Sequence, residues 1–149
     1  MIAAAESLTD LYDEDEIAWL ESMAELIGEG RLDELDYAHL RELLTDMAKS
    51  ERREVKSRLV TLIAHLLKWT HQKKKRTGSW EATILHQSGE LEDILESQTL
   101  HNHANDMLSQ AYARAVTEAA RETRLPISTF PKKCPWTVEM LVAEDLLGE

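Results

Sequence analysis

The amino-acid sequence predicts an all-α protein, a helical bundle of about four main helices, one of them very long, with a short C-terminal helix after a proline-containing strap. Apolar residues recur at spacings of three and four, the period of a helix with one buried face. The 149 residues include only five Gly and three Pro, so long linkers are not expected. We expect a single domain over residues 1–149, because a chain of this length buries roughly two-thirds of its unfolded surface.

The first predicted helix begins near Asp13 and ends near Ile27. Four apolar residues share one of its faces: Ile17, Leu20, Ala24 and Ile27. Its acidic first turn suits the positive end of the helix dipole. Gly28 follows and is predicted to end the helix in a left-handed conformation.

The second predicted helix is the longest, because no Gly or Pro interrupts the chain from Asp36 to about Gln72. It has about 36 residues and, at 1.5 Å per residue, is roughly 54 Å long. Its apolar stripe turns by about 90° along the way. The two faces are Leu40, Leu43, Leu44 and Met47, then Val55, Leu59, Leu62, Ile63 and Leu66. We expect the first half to pack against the first helix and the second half against the third and fourth.

Ser79 is predicted to cap the third helix, which reaches about Glu96. The fourth helix stops before Leu125, and the short connection between the two favours an antiparallel hairpin.

All three prolines lie between Leu125 and Trp136. Proline lacks an amide donor and has a fixed φ, which favours an ordered but irregular strap across the bundle. Thr137 is predicted to cap a final short helix that reaches about Ala143.

Charge is separated along this chain, whose formal net charge is −11. From Glu6 to Asp46, fourteen acidic residues are accompanied by only two basic ones, whereas the segment from Lys49 to Arg76 has ten basic and two acidic residues. Overall acidity disfavours indiscriminate binding to nucleic acids or membranes. The basic segment nevertheless predicts a surface for an anionic partner.

The best candidate for an anion-binding surface is the turn after the long helix, which has no acidic residue. Its candidate residues are Lys68, His71, Lys73, Lys74, Lys75 and Arg76. Trp69 and Trp80 lie beside them, and cations near indole rings suit phosphates and stacked bases. The alternative interpretation is that both tryptophans fill the end of the bundle while the cations only solvate the turn.

A second candidate is a line of polar residues on the long helix: Glu51, Glu54, Arg58 and His65. Two carboxylates, a guanidinium and an imidazole on one face suit a groove for a small polar ligand or acid–base catalysis. The competing interpretation is an ordinary surface, because Glu54 and Arg58 have the spacing of a helix-surface ion pair worth about 0.3–0.5 kcal/mol.

Patterns for several other chemistries are missing from the sequence. The Glu-x-x-His pairs of bundle di-iron sites do not occur, nor does a glycine-rich phosphate loop. Cys134 is the only cysteine, and no adjacent His activates it, so we expect an inert thiol. We therefore expect no cofactor and no metal, and we favour a binding protein over an enzyme.

The cysteine content and the hydropathy pattern predict a cytoplasmic protein that does not enter a membrane. A single cysteine permits no intrachain disulfide and fits a reducing compartment. No apolar run approaches the eighteen or more residues of a membrane span.

Six groups of residues occur in order along the chain. They are Tyr12 with Asp15 and Trp19, EGRLDELD at Glu29–Asp36, DMAKSERR at Asp46–Arg53, HLLKW at His65–Trp69, SWEATI at Ser79–Ile84 and TFPKKCPW at Thr129–Trp136. Together they resemble the bacterial domain-of-unknown-function family twenty-nine, abundant in cyanobacteria. The resemblance implies an all-helical single domain with no established activity and carries over no catalytic residue. Ala48 and Trp136, where the family usually has Gly and Tyr, depart from the pattern.

The sequence favours a non-enzymatic binding or protein-interaction module whose partner is an unidentified protein. The alternative is binding of RNA or single-stranded nucleic acid through residues 49–76, with Lys49, Arg52, Arg53 and Lys56 adding to the basic turn. A weaker alternative is an enzyme that uses the polar line. The long helix exceeds the third helix, of about 25 Å, so we also expect its free end to be buried in a homodimer.

Overall fold

The computed structural model describes the backbone of residues 5–148 and the side chains of residues 8–148. This part of the chain contains six α-helices and no strand. The helices are α1 (Ala5–Glu14), α2 (Glu16–Gly28), α3 (Tyr37–His71), α4 (Gly78–Ile94), α5 (Gln98–Thr123) and α6 (Val138–Leu141). Short 3₁₀ turns occupy Leu32–Glu34, Lys73–Lys75 and Ile127–Thr129. The predicted all-α class and the single very long helix are confirmed.

The chain divides into two compact units, the first ending at Lys49 and the second beginning at Ser50. Helix α3 contributes residues to both. The first unit has fourteen acidic residues and only Arg31, Arg41 and Lys49 as basic ones, so it carries the whole formal net charge of −11. The second unit is balanced, with fourteen residues of each sign.

The described part of the first unit starts with a helix that the sequence interpretation missed. Helix α1 ends at Glu14, and Asp15 then caps α2 by accepting a hydrogen bond from the Ala18 amide at 3.2 Å. The predicted single helix starting near Asp13 is therefore wrong at its N-terminal end. The physical reason is that the Asp15 carboxylate satisfies the free amides of a new helix instead of lying within an acidic first turn.

Helix α2 ends one residue later than predicted, and the left-handed residue after it is Gly30 rather than Gly28. Gly28 is its last helical residue, and Gly30 adopts the left-handed conformation, with φ of 75°. The Gly30 amide donates to the Ile27 carbonyl at 3.0 Å, and the Arg31 amide donates to the Leu26 carbonyl at 2.9 Å. This pair of bonds is a Schellman motif, which satisfies carbonyls that the helix itself leaves free.

Trp19 is the largest residue in the core of the first unit and is fully buried. Partly buried apolar residues surround this core: Leu11, Tyr12, Leu20, Leu26, Leu35, Leu40 and Leu43. The first half of α3 thus packs where predicted through Leu40 and Leu43. Leu44 and Met47, predicted on the same face, are instead 60% and 58% exposed, so the prediction is wrong for the far side of that face.

The second unit contains the larger core, built from the rest of α3, from α4 and α5, and from the segment after α5. Its buried residues include Val55, Leu59, Leu62, Ile63, Leu66, Leu67, Ile84, Leu91, Ala104, Ala111, Ala115 and Ala119. The alanines of α5 are small and let helix axes approach closely. The predicted packing of the second half of the long helix is confirmed.

Two helices of the second unit begin at threonine caps. Thr77 Oγ1 accepts from the Trp80 amide at 3.1 Å, and Thr137 Oγ1 accepts from the Met140 amide at 3.2 Å. The cap at Thr137 was predicted, whereas Ser79 was predicted for α4 and is wrong by two residues. Thr77 has the extended conformation that directs its hydroxyl to the first free amides.

The strap, residues 125–136, is ordered and attached on one side to α5. Helix α5 ends at Thr123, and Arg124 after it is left-handed, with φ of 61°. The Tyr112 hydroxyl then donates to the Pro131 carbonyl, and farther along the Ser88 hydroxyl of α4 donates to the Leu141 carbonyl of α6 at 2.7 Å. The first bond fixes the strap, which has no regular backbone hydrogen bonding beyond its 3₁₀ turn, and the second fixes α6 after it.

Candidate anion-binding surface

The basic turn, residues 68–76, joins the end of α3 to the start of α4. His71 is the last residue of α3, and Lys73–Lys75 form a 3₁₀ turn before the Thr77 cap. The backbone therefore places this run of cations at one end of the second unit. The six predicted residues do not form one uniform surface, because three of them are committed to internal contacts.

Lys68 is a structural residue. It is only 7% exposed, its Nζ lies 2.6 Å from Glu122 Oε2 on α5, and it stands 5.3 Å from the centre of the Trp80 ring. A buried ammonium is stable only with such a partner. Lys68 therefore ties α3 to α5 and is not free to bind a ligand.

His71 is also held within the fold. Its Nδ1 donates to the Leu67 carbonyl at 3.0 Å, and its ring meets the Phe130 ring edge-on at 5.0 Å between centres. This contact brings the strap to the end of α3. His71 anchors the strap, and only its Nε2 is left for an external partner.

Arg76 is fixed against Trp69. Its guanidinium lies 4.3 Å from the centre of the indole ring, and its Nε donates to the Trp69 carbonyl at 2.9 Å. Cation–π contact and the hydrogen bond together hold the turn in one conformation. Arg76 itself is exposed, so its charge still contributes to the surface.

The remaining three residues, Lys73, Lys74 and Lys75, are exposed. Among the side chains of residues 8–148, none of the three has an ion-pair partner. These cations are consequently available to an anionic partner. The internal contacts of Lys68, His71 and Arg76 fix the backbone on both sides of them.

The strap adds two lysines that the sequence interpretation did not assign to the surface. Lys132 and Lys133 are exposed and follow Phe130, which contacts His71. At about 3.3 Å per residue they lie within roughly 10 Å of chain from that contact. The local signal existed, as a Lys-Lys pair between prolines, but only the Phe130 contact shows that it belongs near the basic turn.

The four side chains of the polar line, Glu51, Glu54, Arg58 and His65, are spread along α3 and do not form one site. From Glu51 to His65 the helix rises by about 21 Å. Arg58 pairs with Glu54 at 3.3 Å and donates to Gln87 Oε1 of α4 at 3.0 Å, while His65 Nδ1 donates to the carbonyl of Thr61 on its own helix at 2.9 Å.

A polar cluster in the first unit was missed by the sequence interpretation. Asp36 Oδ2 accepts from Trp19 Nε1 at 3.2 Å and lies 2.7 Å from His39 Nδ1. The His39 ring stacks on Tyr12 with 4.1 Å between centres, and Tyr12 meets Trp19 edge-on at 4.8 Å. The Asp-x-x-His spacing at the start of a long helix was a signal that could have revealed it.

These contacts shift two pKa values in opposite directions. The hydrogen bond to Asp36 raises the pKa of His39 above its usual value, against partial desolvation, and Asp13 and Glu42 raise it further. Desolvation raises the pKa of Asp36, but the bonds from His39 and Trp19 outweigh it and lower the pKa overall. The pair therefore favours its charged form.

Cys134 has the surroundings of a structural thiol. Burial raises its pKa, and its Sγ donates to the Trp136 carbonyl at 3.3 Å. A raised pKa reduces the thiolate fraction, which makes the thiol less nucleophilic. Over the described part of the chain, no group of three or more His, Cys, Asp or Glu could hold a metal ion.

The fold and this surface define an all-α helical protein with an exposed basic turn. The family model described as domain of unknown function DUF29 matches residues 11–147, and the chain belongs to this family. The resemblance inferred from the six residue groups is thereby confirmed. Comparison with curated proteins and with solved structures gave no match. Among the described helices, none is both long and apolar enough to cross a membrane.

Proposed function

We propose that this chain is a non-enzymatic binding module that holds an anionic protein partner at the basic turn. The observation that carries the proposal is the row of Lys73, Lys74 and Lys75, exposed and without ion-pair partners among the described side chains. Unpaired surface cations keep their full electrostatic attraction for a partner and steer its approach.

The surroundings of these lysines support a binding role. Lys68 with Glu122 and Arg76 with Trp69 fix the two ends of the turn. A turn that is already ordered loses less conformational entropy when a partner binds.

The distances along α3 make an enzyme the weaker alternative. Groups that act together on one substrate must lie within hydrogen-bond reach of it, and the polar line extends over about 21 Å. Its central residue, Arg58, is engaged by Glu54 and Gln87.

RNA or single-stranded nucleic acid is the second candidate partner, because of Arg76 and Trp69. Their stacked arrangement presents a planar cation on an indole ring, and planar guanidinium groups stack on unpaired bases. This candidate predicts an affinity that falls with salt at a log–log slope of about −0.7 per phosphate contacted.

Affinity purification from the native cell, with and without nuclease, tests the proposal. Lys74→Glu with Lys75→Glu should lose a protein partner that the wild-type chain retains. The matched control is Arg52→Glu with Arg53→Glu, which reverses the same amount of exposed charge on α3. Equal retention by both variants, or no partner above background, contradicts the proposal. A partner that disappears after nuclease treatment supports the nucleic-acid alternative.

The proposal has two further parts. A homodimer through α3 is supported by the exposed apolar side chains of Leu44 and Met47. A cytoplasmic location is supported by the cysteine content, since Cys134 has no other cysteine with which to form an intrachain disulfide, and a bacterial source is what the family resemblance implies.

A further inference from the structure

A groove of about 760 Å³ lies between α5 and the strap in the second unit. Its apolar lining includes Leu108, Tyr112, Val116 and Phe130. Ile127, at the start of the strap, also lines it and is 62% exposed. The volume of this groove lies within the range of roughly 300–1,000 Å³ that is usual for ligand-binding clefts.

The groove is formed before anything binds. The hydrogen bond from the Tyr112 hydroxyl to the Pro131 carbonyl joins α5 to the strap, and Phe130 is buried against His71. Both sides of the groove are thus fixed, which lowers the entropic cost of binding.

The α5 side of the groove has the shape that accepts another helix. Ser109, Ala113 and Thr117 line it at intervals of four residues and are exposed. A row of small side chains lets a second helix approach to the usual 8–10 Å between axes, a range that depends on side-chain size. Between residues 108 and 117 the helix rises by about 13.5 Å, which is longer than the roughly 10.5 Å between positions i and i+7 of a bound helix. Anchors at i, i+3 or i+4, and i+7 therefore fit along it.

The charge of the groove selects the kind of helix. Lys132 and Lys133 line it, whereas no Asp or Glu does. Within residues 8–148 neither lysine has an ion-pair partner. An occupant with carboxylates beside its apolar face is therefore attracted, and one with lysines there is repelled.

We infer that the groove binds an acidic amphipathic helix of another protein, with apolar anchors against Ile127 and α5 and carboxylates against Lys132 and Lys133. This surface goes beyond the proposed function, which rests on the basic turn, and each can fail without the other.

The test uses the full-length chain and a fluorescein-labelled synthetic helix of about sixteen residues, roughly four turns, with leucine at every third or fourth position and glutamate elsewhere. One control peptide replaces each glutamate with lysine, and another has the same composition in an order without an apolar face. Fluorescence anisotropy should show that the acidic amphipathic peptide binds about tenfold more tightly than either control. The first control lacks the carboxylates that Lys132 and Lys133 attract, and the second lacks an apolar face for the groove.

Variants of exposed residues then locate the site. Lys132→Glu with Lys133→Glu should weaken binding about tenfold, and Ile127→Ser about fivefold. Matched controls are Lys74→Glu with Lys75→Glu in the basic turn, and Leu85→Ser on α4, where Leu85 is 51% exposed. Neither control should change the affinity by more than about twofold, and circular dichroism checks that all four variants remain helical.

Equal binding of either control peptide, or full affinity in both groove variants, overturns the inference. Loss of binding in the basic-turn variant alone assigns the peptide to the basic turn, which overturns the groove while supporting the proposed function. If charge reversal at Lys132 and Lys133 abolishes binding of a single-stranded oligonucleotide but leaves peptide binding intact, the groove is a nucleic-acid site and the inference is wrong.

Discussion

Asp36 illustrates how one residue can hold two helices together. Its Oδ2 binds Trp19 of α2 and the His39 ring of α3, and its Oδ1 accepts from the His39 amide at 3.4 Å. The side chain is only 9% exposed. A carboxylate so far removed from water requires these donors, since an unpaired buried charge is strongly destabilising. The bond to the His39 amide at the start of α3 is thus only part of its role.

We predict that Asp36→Ala destabilises the protein by about 2 kcal/mol, because it removes a helix cap and leaves the indole N–H of Trp19 without an acceptor. Urea denaturation followed by circular dichroism measures this change. Asp33→Ala is the matched control, because Asp33 is an exposed acid three residues earlier, and it should cost less than about 0.5 kcal/mol. Similar losses in both variants would contradict the assigned role.

The His39–Asp36 pair also predicts a pH dependence of stability. Since the folded pKa of His39 is raised, its contribution is complete below the ordinary histidine value of about 6.5 and is lost as the pH rises through the folded pKa. Since the folded pKa of Asp36 is lowered, its contribution is complete above about 3.9 and is lost as the pH falls through the folded pKa.

The contribution of this pair to the free energy of unfolding should therefore be greatest between about pH 4 and 6.5. Urea midpoints for the wild-type chain and for His39→Gln test the upper limit, and the variant should lose the decline that the wild type shows from neutral to alkaline pH. A proton NMR titration of His39 checks the direction of its pKa. An unchanged decline in His39→Gln would show that other groups cause it.

At the scale of the elements, the interiors of the helices were easier to predict than their ends. Helical periodicity repeats over many residues, so the long helix was placed to within one residue at each end, from Tyr37 to His71. Ends depend on single side chains. Asp15 and Thr77 capture free amides, and both choices depend on local backbone conformation rather than on periodicity.

Replacing Gly30, which follows α2, and Gly89, which lies inside α4, with alanine should change the stability of the protein in opposite directions. Gly30 has φ of 75°, so Gly30→Ala strains the Schellman motif and should destabilise the protein by about 1 kcal/mol. Gly89 lies inside α4, and an added Cβ meets nothing within 4 Å, so Gly89→Ala should stabilise by about 0.5–1 kcal/mol. Thermal and urea unfolding measure both, and changes of the same sign would contradict the conformational argument.

For the whole molecule, the clearest property is the unequal distribution of charge between the two units. The first carries −11 and the second is neutral overall, although both basic surfaces lie in the second. The net charge of the chain is therefore the charge of the first unit alone. A single domain over residues 1–149 stays a prediction.

The exposed apolar face of α3 leads to a prediction about assembly. We expect a homodimer in which Leu44 and Met47 are buried, because adjacent exposed side chains of this size favour association. Multi-angle light scattering at high micromolar concentration should give twice the chain mass for the wild type and the chain mass for Leu44→Lys with Met47→Lys. Leu85→Lys, on an exposed part of α4, is the control and should remain dimeric. A strictly monomeric wild-type chain would contradict the predicted homodimer.

The sequence by itself determined the all-α class, the length of α3, the apolar face of the second half of α3 and the membership in the family. These are local or repeating properties, which neighbouring residues carry without reference to the rest of the chain. The sequence did not determine the buried face of α2, because Ile17 and Ile27, predicted on that face, are 64% and 50% exposed. Only the tertiary structure decided which cations are free. Lys68 is neutralised by Glu122, 54 positions away, and the strap groove depends on the bond from Tyr112 to Pro131. Such contacts arise from packing between distant segments, and no local spacing encodes them.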